Sequence, residues 1–586
     1  MLAALMLAAA LLPIDPAKPD WRTPFERGDG NTTATYAECL AYYRQLDAAY
    51  PEISLREAGP TDSGQPLHEV VVSLDGDTDP ASLRRKNRRV VFIQNGIHPG
   101  EPEGIDASMM LVRDYVQKKE LRRQLENVTL VVVPVYNVDG MLNRNRTTRV
   151  NQNGPLEYGF RGNARNYDLN RDYIKQNSRN ARSFAALFQR WLPEVFVETH
   201  TSNGADYQYT MTLIATQKDK LHPALSQYLQ KRLLPALYQG MEKRQWPMVP
   251  YVDFDGPTPE SGLVGFLETP RYSTGYAALF NTIGFMPETH MLKAYPPRVQ
   301  STYALLDEVI RFVHRDADAL GAARAEADRQ LLSQSEFPLQ WQLYKDAVDE
   351  VQFRGYEART RPSEVSGQPR QYYDRNAPFT RPVKYYNTYR PTLTVRRAAA
   401  YLIPQAWQEV IERLELNGVR LQRLRQDATL TVEAQYIEDF QTSPRPFEGH
   451  YLHSQVKLRP QSQQLTFHAG DYVAVLDQPA ARYLVETLEP QGPDSFFAWG
   501  LFDSILQQKE HYSPYVFEDL AAEVLRQQPA LRQELEARQK ADAAFAKDGA
   551  AQLEWVFRRS EYSEPSYRRY PVVRLQELGQ LSLSAE

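Results

Sequence analysis

Two side chains in residues 95–104 could bind a metal ion. His98 and Glu101 stand three positions apart in the sequence His-Pro-Gly-Glu, and the glycines and prolines around them predict a tight, irregular loop. A neutral imidazole and a carboxylate suit Zn²⁺, which in catalytic sites takes three protein ligands and leaves a position for water. The pair therefore predicts a third ligand and a base elsewhere in the chain.

The elements around this loop place it at the sheet edge where α/β proteins have their binding and active sites. The apolar run at residues 90–93 predicts a buried strand before the loop, and a helical pattern begins near Ile105. The loop would then lie at the carboxyl end of a strand. Because a His-x-x-Glu pair also occurs by chance on protein surfaces, the metal hypothesis depends on the rest of the chain.

Two further strand patterns end in residues of the required types. Residues 195–197 are apolar and lead to His200, the predicted third ligand, with Glu198 as a candidate partner of that ligand. Residues 284–290 predict a strand in which Glu288 would be costly to bury without a role. A base that activates a metal-bound water needs such a setting. Glu268 is the second candidate for the base, and a buried ion pair with a loop arginine is the structural alternative for Glu288.

Arginines are dense in residues 141–180, an aperiodic segment that is longer than a normal connection. Within it, the sequence Asp168-Leu-Asn-Arg-Asp172 places an arginine beside an asparagine, a combination suited to bidentate capture of a carboxylate. A solvated basic loop is the alternative. Asn170 and Arg171 are therefore candidates for binding a carboxylate.

The composition indicates a globular chain of more than one domain. With 586 residues the chain exceeds the length that a single core usually serves, so at least two domains are expected. The net charge of −5 does not favour a nucleic-acid partner. Cys39 is the only cysteine, which excludes an intramolecular disulfide and a thiolate metal cluster. It follows a capping-box pattern that starts at Thr35, so a thiol packed on a helix is predicted.

The first residues predict export. Residues 1–12 are apolar and alanine-rich, too short to span a bilayer but of the length of a signal-peptide core, although no basic residues precede them. We interpret residues 1–20 as a signal peptide or N-terminal segment. This predicts a periplasmic or secreted protein and leaves a cytoplasmic location open. Since no other segment has transmembrane character, no stable membrane insertion is expected.

Several motifs, in this order, resemble those of the zinc carboxypeptidase family, peptidase family M14. They are His98-Pro-Gly-Glu101, Asn137-Val-Asp-Gly140, Asp168-Leu-Asn-Arg171, His200 after a strand, and Glu288. The resemblance covers about residues 30–320. It implies an α/β catalytic domain at residues 30–330, with a mixed eight-stranded sheet and helices on both faces. Residues 340–586 are interpreted as a smaller α+β accessory domain of the kind attached to some bacterial members.

The family resemblance implies a role for each candidate. The implied ligands of one zinc ion are His98, Glu101 and His200. Glu288 would be the general base, and Asn170 and Arg171 would bind the C-terminal carboxylate of a peptide.

Two of the implied roles have a first and a second candidate. For the arginine that stabilises the oxyanion we choose Arg149, with Arg146 second, because an insertion loosens the alignment. For the tyrosine that caps the substrate we choose Tyr276, with Tyr272 second. Two departures from the family pattern are Asp172, where many members carry Asn, and His290, which could tune the base or contact substrate.

The leading hypothesis is a zinc-dependent metallocarboxypeptidase, a hydrolase that removes the C-terminal residue of peptides with metal-activated water. The alternative is a zinc amidase or deacylase that acts on cell-wall peptides or another non-protein amide. A catalytically inactive binding module is a third hypothesis. The presence of all the implied ligands and of Glu288 argues against it.

Overall fold

The computed structural model describes residues 20–579 and 581–584. The predicted signal segment therefore lies outside the described residues, except for Asp20. The chain forms two compact units. The first contains the chain up to Gln330 together with Gln342–Arg390, and the second contains Leu331–Trp341 and the chain from Pro391 onward.

The first unit is built on a mixed sheet, as predicted. The strands up to residue 290 are β1 (Ile53–Pro60), β2 (Pro66–Val72), β3 (Arg89–Gln94), β4 (Val128–Val133), β5 (Val195–Glu198), β6 (His200–Ser202), β7 (Met211–Ala215), β8 (Met248–Pro250), β9 (Leu263–Val264) and β10 (Ile283–His290). The order across the sheet is β1-β2-β4-β3-β5-β10-β7-β8, with β6 also beside β10. Because Thr199 alone separates β5 from β6, the two share one position and the sheet is eight strands wide, which confirms the prediction.

Strand directions explain why several sites meet at one edge of this sheet. Strands β4, β3, β5 and β10 run parallel to their neighbours in that series. Their carboxyl ends therefore lie at the same edge. Strands β1, β2 and β7 add antiparallel pairs on either side.

Helices cover both faces of the sheet. The helices of this unit are α1 (Pro24–Arg27), α2 (Tyr36–Ala49), α3 (Pro80–Arg85), α4 (Glu103–Gln117), α5 (Lys119–Arg122), α6 (Val138–Leu142), α7 (Arg179–Trp191), α8 (Pro223–Tyr228), α9 (Leu234–Lys243), α10 (Ser273–Ala278), α11 (Tyr295–Arg315) and α12 (Ala317–Leu331). Among the residues described, no helix has both the length and the apolar character that crossing a bilayer requires.

Alternation along the central strands sends side chains to both faces. Val91 and Ile93 of β3 belong to a large core that also contains residues of α4 and α11. Phe92, between them, points the other way and contacts Phe184 and Phe188 of α7. Both faces of β3 are therefore buried, which is why this strand reads as an uninterrupted apolar run.

Helix α2 begins at the predicted capping box. The Glu38 carboxylate accepts a hydrogen bond from the Thr35 backbone N–H at 2.8 Å, and the Thr35 hydroxyl accepts one from the Glu38 N–H at 3.3 Å. Cys39, one residue later, is buried as expected.

A long hairpin joins the first unit. Strands β11 (Glu336–Leu343) and β14 (Tyr389–Arg396) pair with each other, and between them β12 (Asp349–Pro362) and β13 (Pro369–Tyr386) form an antiparallel hairpin. The compact units thus divide differently from the predicted domains, which assign residues 340–586 to one accessory domain. The physical reason is that Phe353 and Val383 of the hairpin are buried with Tyr207 and Leu263 of the first unit.

The second unit has a mixed α and β composition, in agreement with the predicted class. Its six-stranded sheet contains β15 (Ala400–Ile403), β16 (Gln422–Arg423), β17 (Ala428–Thr442), β18 (His453–Phe467), β19 (Tyr472–Val475) and β20 (Val573–Leu575), in the order β16-β19-β15-β20-β17-β18. Its helices are α13 (Gln408–Leu416), α14 (Ala481–Leu488), α15 (Pro514–Gln527), α16 (Pro529–Ala541) and α17 (Gly549–Phe557). The last three helices share a small apolar core.

Candidate active site

The carboxyl ends of neighbouring strands bring the predicted metal ligands together. The loop after β3 carries His98 and Glu101, and His200 is the first residue of β6. One ligand atom from each of these buried side chains lies within 4.8 Å of the others. Glu101 Oε1 is 3.3 Å from His98 Nδ1, and Glu101 Oε2 is 3.0 Å from His200 Nδ1.

A carboxylate faces the far ring nitrogen of each histidine. Asp168 Oδ1 lies 2.9 Å from Nε2 of His98, and Glu198 Oε2 lies 3.1 Å from Nε2 of His200. A proton held on Nε2 by such a carboxylate leaves the Nδ1 lone pair free to bind a metal ion. The sequence pattern indicates Glu198 as a partner, but it does not indicate Asp168, which is 70 residues from His98 along the chain.

This set of donors fits a zinc ion. His98 Nδ1 is buried and has no hydrogen-bond partner among the described residues. Burial opposes the ionisation of Glu101, but Arg149 and His98 hold the pKa of its carboxyl group well below the usual value, so Glu101 is a carboxylate as a ligand must be. Two imidazole nitrogens and one carboxylate form a ligand set that is found in catalytic zinc sites.

Strand β10 places Glu288 beside the ligands. Glu288 is the parallel register partner of His200, and its side chain lines the same cavity as the ligands do. Burial raises the pKa of Glu288 to about 8; the charge of His200 opposes this shift and that of Glu101 adds to it. A raised pKa is what a general base near neutral pH requires, and a cation held by the ligands would lower it towards neutrality.

The first-choice site residues, apart from Tyr276, line one cavity of about 440 Å³. They are His98, Glu101, Arg149, Asn170, Arg171, His200 and Glu288. Glu268, the second candidate for the base, is outside this cavity and accepts a hydrogen bond from the Gln217 backbone N–H at 2.6 Å. Its position therefore favours Glu288 as the base.

Two arginines lie beside the carboxylate of Glu101. Arg149 Nη1 donates to Glu101 Oε1 at 2.9 Å, and Arg161 Nη1 lies 3.6 Å from the same oxygen. Arg161 also pairs with Asp168 at 2.9 Å. Arg146, the second choice in the sequence, pairs with Glu157 in an exposed position and is outside the cavity. Arg161 is thus a candidate that the sequence interpretation missed.

A short turn presents Asn170 and Arg171 to the cavity. Residues Leu169–Arg171 form a single 3₁₀ turn, which begins where the Asp168 side chain accepts a hydrogen bond from the Asn170 N–H. The Arg171 guanidinium lies over the ring of Tyr272, with 4.4 Å from Cζ to the ring centroid. The Asn170 Oδ1 atom is buried and has no hydrogen-bond partner among the described residues. A planar guanidinium supported in this way is suited to a carboxylate.

Part of the first unit is similar to a known protein family. A family model described as zinc carboxypeptidase matches residues 39–221. Residues 39–221 are thus a region of the zinc carboxypeptidase type. The matched residues of this carboxypeptidase region include all the candidate zinc ligands, whereas Glu288 lies beyond them.

Curated relatives extend the similarity past the family match. Carboxypeptidase 2 of Trichophyton rubrum is 22% identical over 493 residues, which cover 81% of this chain and 85% of the relative. Carboxypeptidase 2 of Trichophyton tonsurans is 24% identical over 444 residues, or 70% of this chain and 73% of the relative. The family match and these relatives identify the chain as an enzyme, a hydrolase of the metallocarboxypeptidase type.

Solved structures include similar chains. A putative carboxypeptidase A from Shewanella denitrificans has a TM-score of 0.38 and 16% identity, and the match covers 51% of this chain and 70% of that one. Carboxypeptidase A from Helicoverpa armigera has a TM-score of 0.37 and 14% identity, with 53% and 78% covered.

Tyr276 does not line the cavity, where a residue that caps the substrate would have to lie. It is fully buried in an aromatic cluster with Phe188, Phe280 and Tyr173, and it is outside the cavity. The choice of Tyr276 for substrate binding is therefore corrected, because α10 turns this side chain into the core. Tyr272, the second choice, lines the cavity, and so does Tyr251, which the sequence interpretation missed.

The two departures from the family pattern have structural partners. Asp172 is buried and accepts hydrogen bonds from Lys175 Nζ at 2.7 Å and from the Ser178 hydroxyl at 2.6 Å. His290 is also buried and outside the cavity, and its Nε2 lies 3.2 Å from Asp206 Oδ1. The His290 ring thus pairs with Asp206 and is not part of the cavity wall.

Proposed function

We propose that this chain is a zinc-dependent metallocarboxypeptidase that hydrolyses the C-terminal peptide bond of peptides with a free carboxylate. The observation that supports the proposal is the convergence of His98, Glu101 and His200, with Glu288 and Arg171 on the same cavity. We further propose that one zinc ion is held by the two Nδ1 atoms and the Glu101 carboxylate.

Glu288 moves the proton in this proposal. Zinc, when bound, supplies a Lewis acid that lowers the pKa of a water molecule and polarises the scissile carbonyl. Glu288 accepts a proton from the attacking water, and the carboxyl group then delivers that proton to the departing amine. The proton balance closes, because the product amine carries the proton that the water lost.

Asn170 and Arg171 determine which bond is cleaved. Arg171 would bind the terminal carboxylate of the substrate with a bidentate hydrogen-bonded pair, and Tyr272 stacks beneath its guanidinium. Anchoring the chain end places the adjacent peptide bond near Glu288 and makes the reaction effectively intramolecular. Cleavage one residue from the C-terminus follows from this anchor.

Arg149 and Arg161 are the candidates for stabilising charge on the carbonyl oxygen. Both guanidinium groups lie near Glu101 Oε1 and line the cavity. A positive charge that is already in place when negative charge develops on the oxygen lowers the barrier.

A pair of matched peptides tests the proposed function. A peptide with a free C-terminal carboxylate should lose its last residue. The same peptide with a C-terminal amide should react at least about 100-fold more slowly, because Arg171 then has no carboxylate to bind. Release of the terminal amino acid is measured by mass spectrometry.

Variants of two arginines in the same loop serve as the control. Arg171→Gln should raise KM for the free-acid peptide, whereas Arg165→Gln, which removes a guanidinium bound to the Asn177 carbonyl, should not.

Internal cleavage, equal rates on both peptides, or cleavage confined to peptidoglycan fragments would contradict the proposal.

The wall of the cavity predicts a preference for an apolar residue at the cleaved end. Ile214 and Met286 are register partners on β7 and β10 and line the cavity together with Phe266. Among the described lining residues the acids are Glu101 and Glu288, both of which have a proposed role. We expect kcat/KM for C-terminal leucine or phenylalanine to exceed that for lysine or arginine by about tenfold or more, because a cationic side chain would be desolvated without a partner. Competition between peptides that differ only in the last residue measures this ratio, and equal rates would refute it.

Export is part of the proposal on the basis of residues 1–12 alone. The N-terminal sequence of the mature protein, purified from the periplasm or medium of its host, tests it. An intact residue 1 on the exported protein, or protein confined to the cytoplasm, would contradict a cleaved signal peptide.

A further inference from the structure

The hairpin of β12 and β13 holds two segments that adjoin the active-site cavity. The first is residues 205–209: Tyr207 forms a backbone bridge with Gly355, and Gln208 Nε2 donates to the carbonyls of Gly355 and Phe379 at 2.9 and 3.0 Å. The second is residues 251–264, where Arg381 pairs with Glu260 at 3.0 Å. At its far end, β9 continues this contact by pairing with β13.

An ion pair links this hairpin to the strand that carries Glu288. Arg375 Nε on β13 lies 2.6 Å from Asp206 Oδ2, and Asp206 Oδ1 lies 3.2 Å from His290 Nε2. His290 follows Glu288 by two positions on β10, so both side chains extend from the same face of the strand. Asp206 is almost fully buried, and leaving its carboxylate without Arg375 would be costly.

Tyr207 extends the link to the strand that carries His200. Its ring stacks on His290 with 4.1 Å between centroids and an angle of 20°. Its hydroxyl lies 3.1 Å from Ser202 Oγ, and Ser202 Oγ donates to the Thr289 carbonyl at 3.3 Å. Ser202 is the last residue of β6, which begins at His200, and it lines the cavity.

We propose that the β12–β13 hairpin positions the active site: through Arg375, Asp206 and Tyr207 it holds the carboxyl ends of β6 and β10, and with them His200 and Glu288, in the geometry that catalysis needs. Arg375, Asp206 and Tyr207 are positioning residues, since they are outside the set that would touch the reacting atoms. The inference rests on the proposed carboxypeptidase function. The inference makes the hairpin a part of the catalytic machinery. The sequence interpretation had placed the same residues in the accessory domain.

The positioning role predicts an effect on kcat. Asn170 and Arg171, which would bind the substrate carboxylate, lie on a different segment of the chain. The contacts of Arg375, Asp206 and Tyr207 do not reach that segment, so KM should change little. Arg375→Ala is expected to lower kcat about tenfold, since small displacements of catalytic groups have effects of this order or larger. Arg375→Lys, which keeps a cation near Asp206, should recover most of the loss.

A matched control and two further measurements separate positioning from general damage. Arg370 is an exposed arginine on the same strand, and Arg370→Ala should have wild-type kcat. The zinc content of Arg375→Ala and its folded fraction at the assay temperature should stay at wild-type values, while the unfolding midpoint falls because the buried Asp206 carboxylate loses its partner. Tyr207→Phe keeps the ring that stacks on His290 but removes the hydroxyl near Ser202, and it should also lower kcat.

The outcomes distinguish this inference from the proposed function. If wild-type protein releases C-terminal residues but Arg375→Ala and Tyr207→Phe match Arg370→Ala in kcat, the positioning role is wrong and the carboxypeptidase proposal stands. If kcat falls only in proportion to the loss of folded protein, the positioning role is also wrong. If the zinc-loaded wild-type enzyme releases no C-terminal residue, both proposals are wrong.

Discussion

Glu288→Gln is expected to lower kcat for release of a C-terminal residue by about 10²–10⁴-fold, the range usually contributed by a positioned general base. The glutamine has the same shape but cannot accept the proton of the attacking water. KM and zinc content should stay close to wild type, because Glu288 is not among the proposed ligands. Steady-state kinetics on a free-acid peptide, together with metal analysis of the same preparation, measure both quantities.

Glu268→Gln is the matched control for this prediction. Glu268 is a buried glutamate outside the cavity that accepts a hydrogen bond from the Gln217 N–H, and a glutamine side chain can still accept that bond. Its kcat should be that of the wild type. A Glu288→Gln enzyme with wild-type kcat would rule out Glu288 as the base.

His200→Ala is expected to abolish activity by removing a zinc ligand. Loss of a ligand should cost about 100-fold or more in zinc affinity, since even the partners that orient ligands contribute 10- to 100-fold. Competition with a chromophoric chelator measures that affinity. A zinc ion that binds only the folded state stabilises that state. Removal of zinc by a chelator should therefore lower the unfolding midpoint of the wild type and leave that of His200→Ala unchanged.

His468→Ala makes the same chemical change away from the site. The His468 side chain is 70% exposed in the second unit, so its loss should affect neither zinc affinity nor activity. Stoichiometric zinc bound to His200→Ala with wild-type affinity would show that the ion is held elsewhere.

The convergence of the proposed ligands and the proposed base could be predicted from the sequence because each follows a strong local signal. Apolar runs indicated the strands that become β3, β5 and β10, and His98, His200 and Glu288 stand at or near their carboxyl ends. Parallel neighbours carry their carboxyl ends to one edge of a sheet, so the pairing of these strands brings the residues together.

The residues that the sequence placed wrongly or missed depend on contacts that local patterns do not contain. Tyr276 and Tyr272 are four positions apart, and only the packing of α10 against Phe188 decides that Tyr276 is buried while Tyr272 faces the cavity. Arg161 lies in an aperiodic loop, where no periodicity indicates which of several arginines points inward.

Contacts between residues far apart in the sequence could not be predicted either. The role of Glu103, next to the metal-site loop, could not be assigned from the sequence; it is buried and pairs with Arg298 at 2.7 Å, while the Thr201 hydroxyl donates to it at 2.7 Å. The alternation of β12 and β13 predicts strands, but it does not reveal that Phe353 packs against Tyr207 of the first unit. Which core a strand joins is a tertiary property.

The most direct test of the proposed zinc site is anomalous X-ray scattering measured on either side of the zinc absorption edge from crystals of the wild-type enzyme. We expect one zinc ion per chain, bound by His98 Nδ1, His200 Nδ1 and the Glu101 carboxylate, with Glu288 on the same cavity. Crystals of zinc-supplemented enzyme with no zinc at this point, or with zinc bound by other side chains, would contradict it.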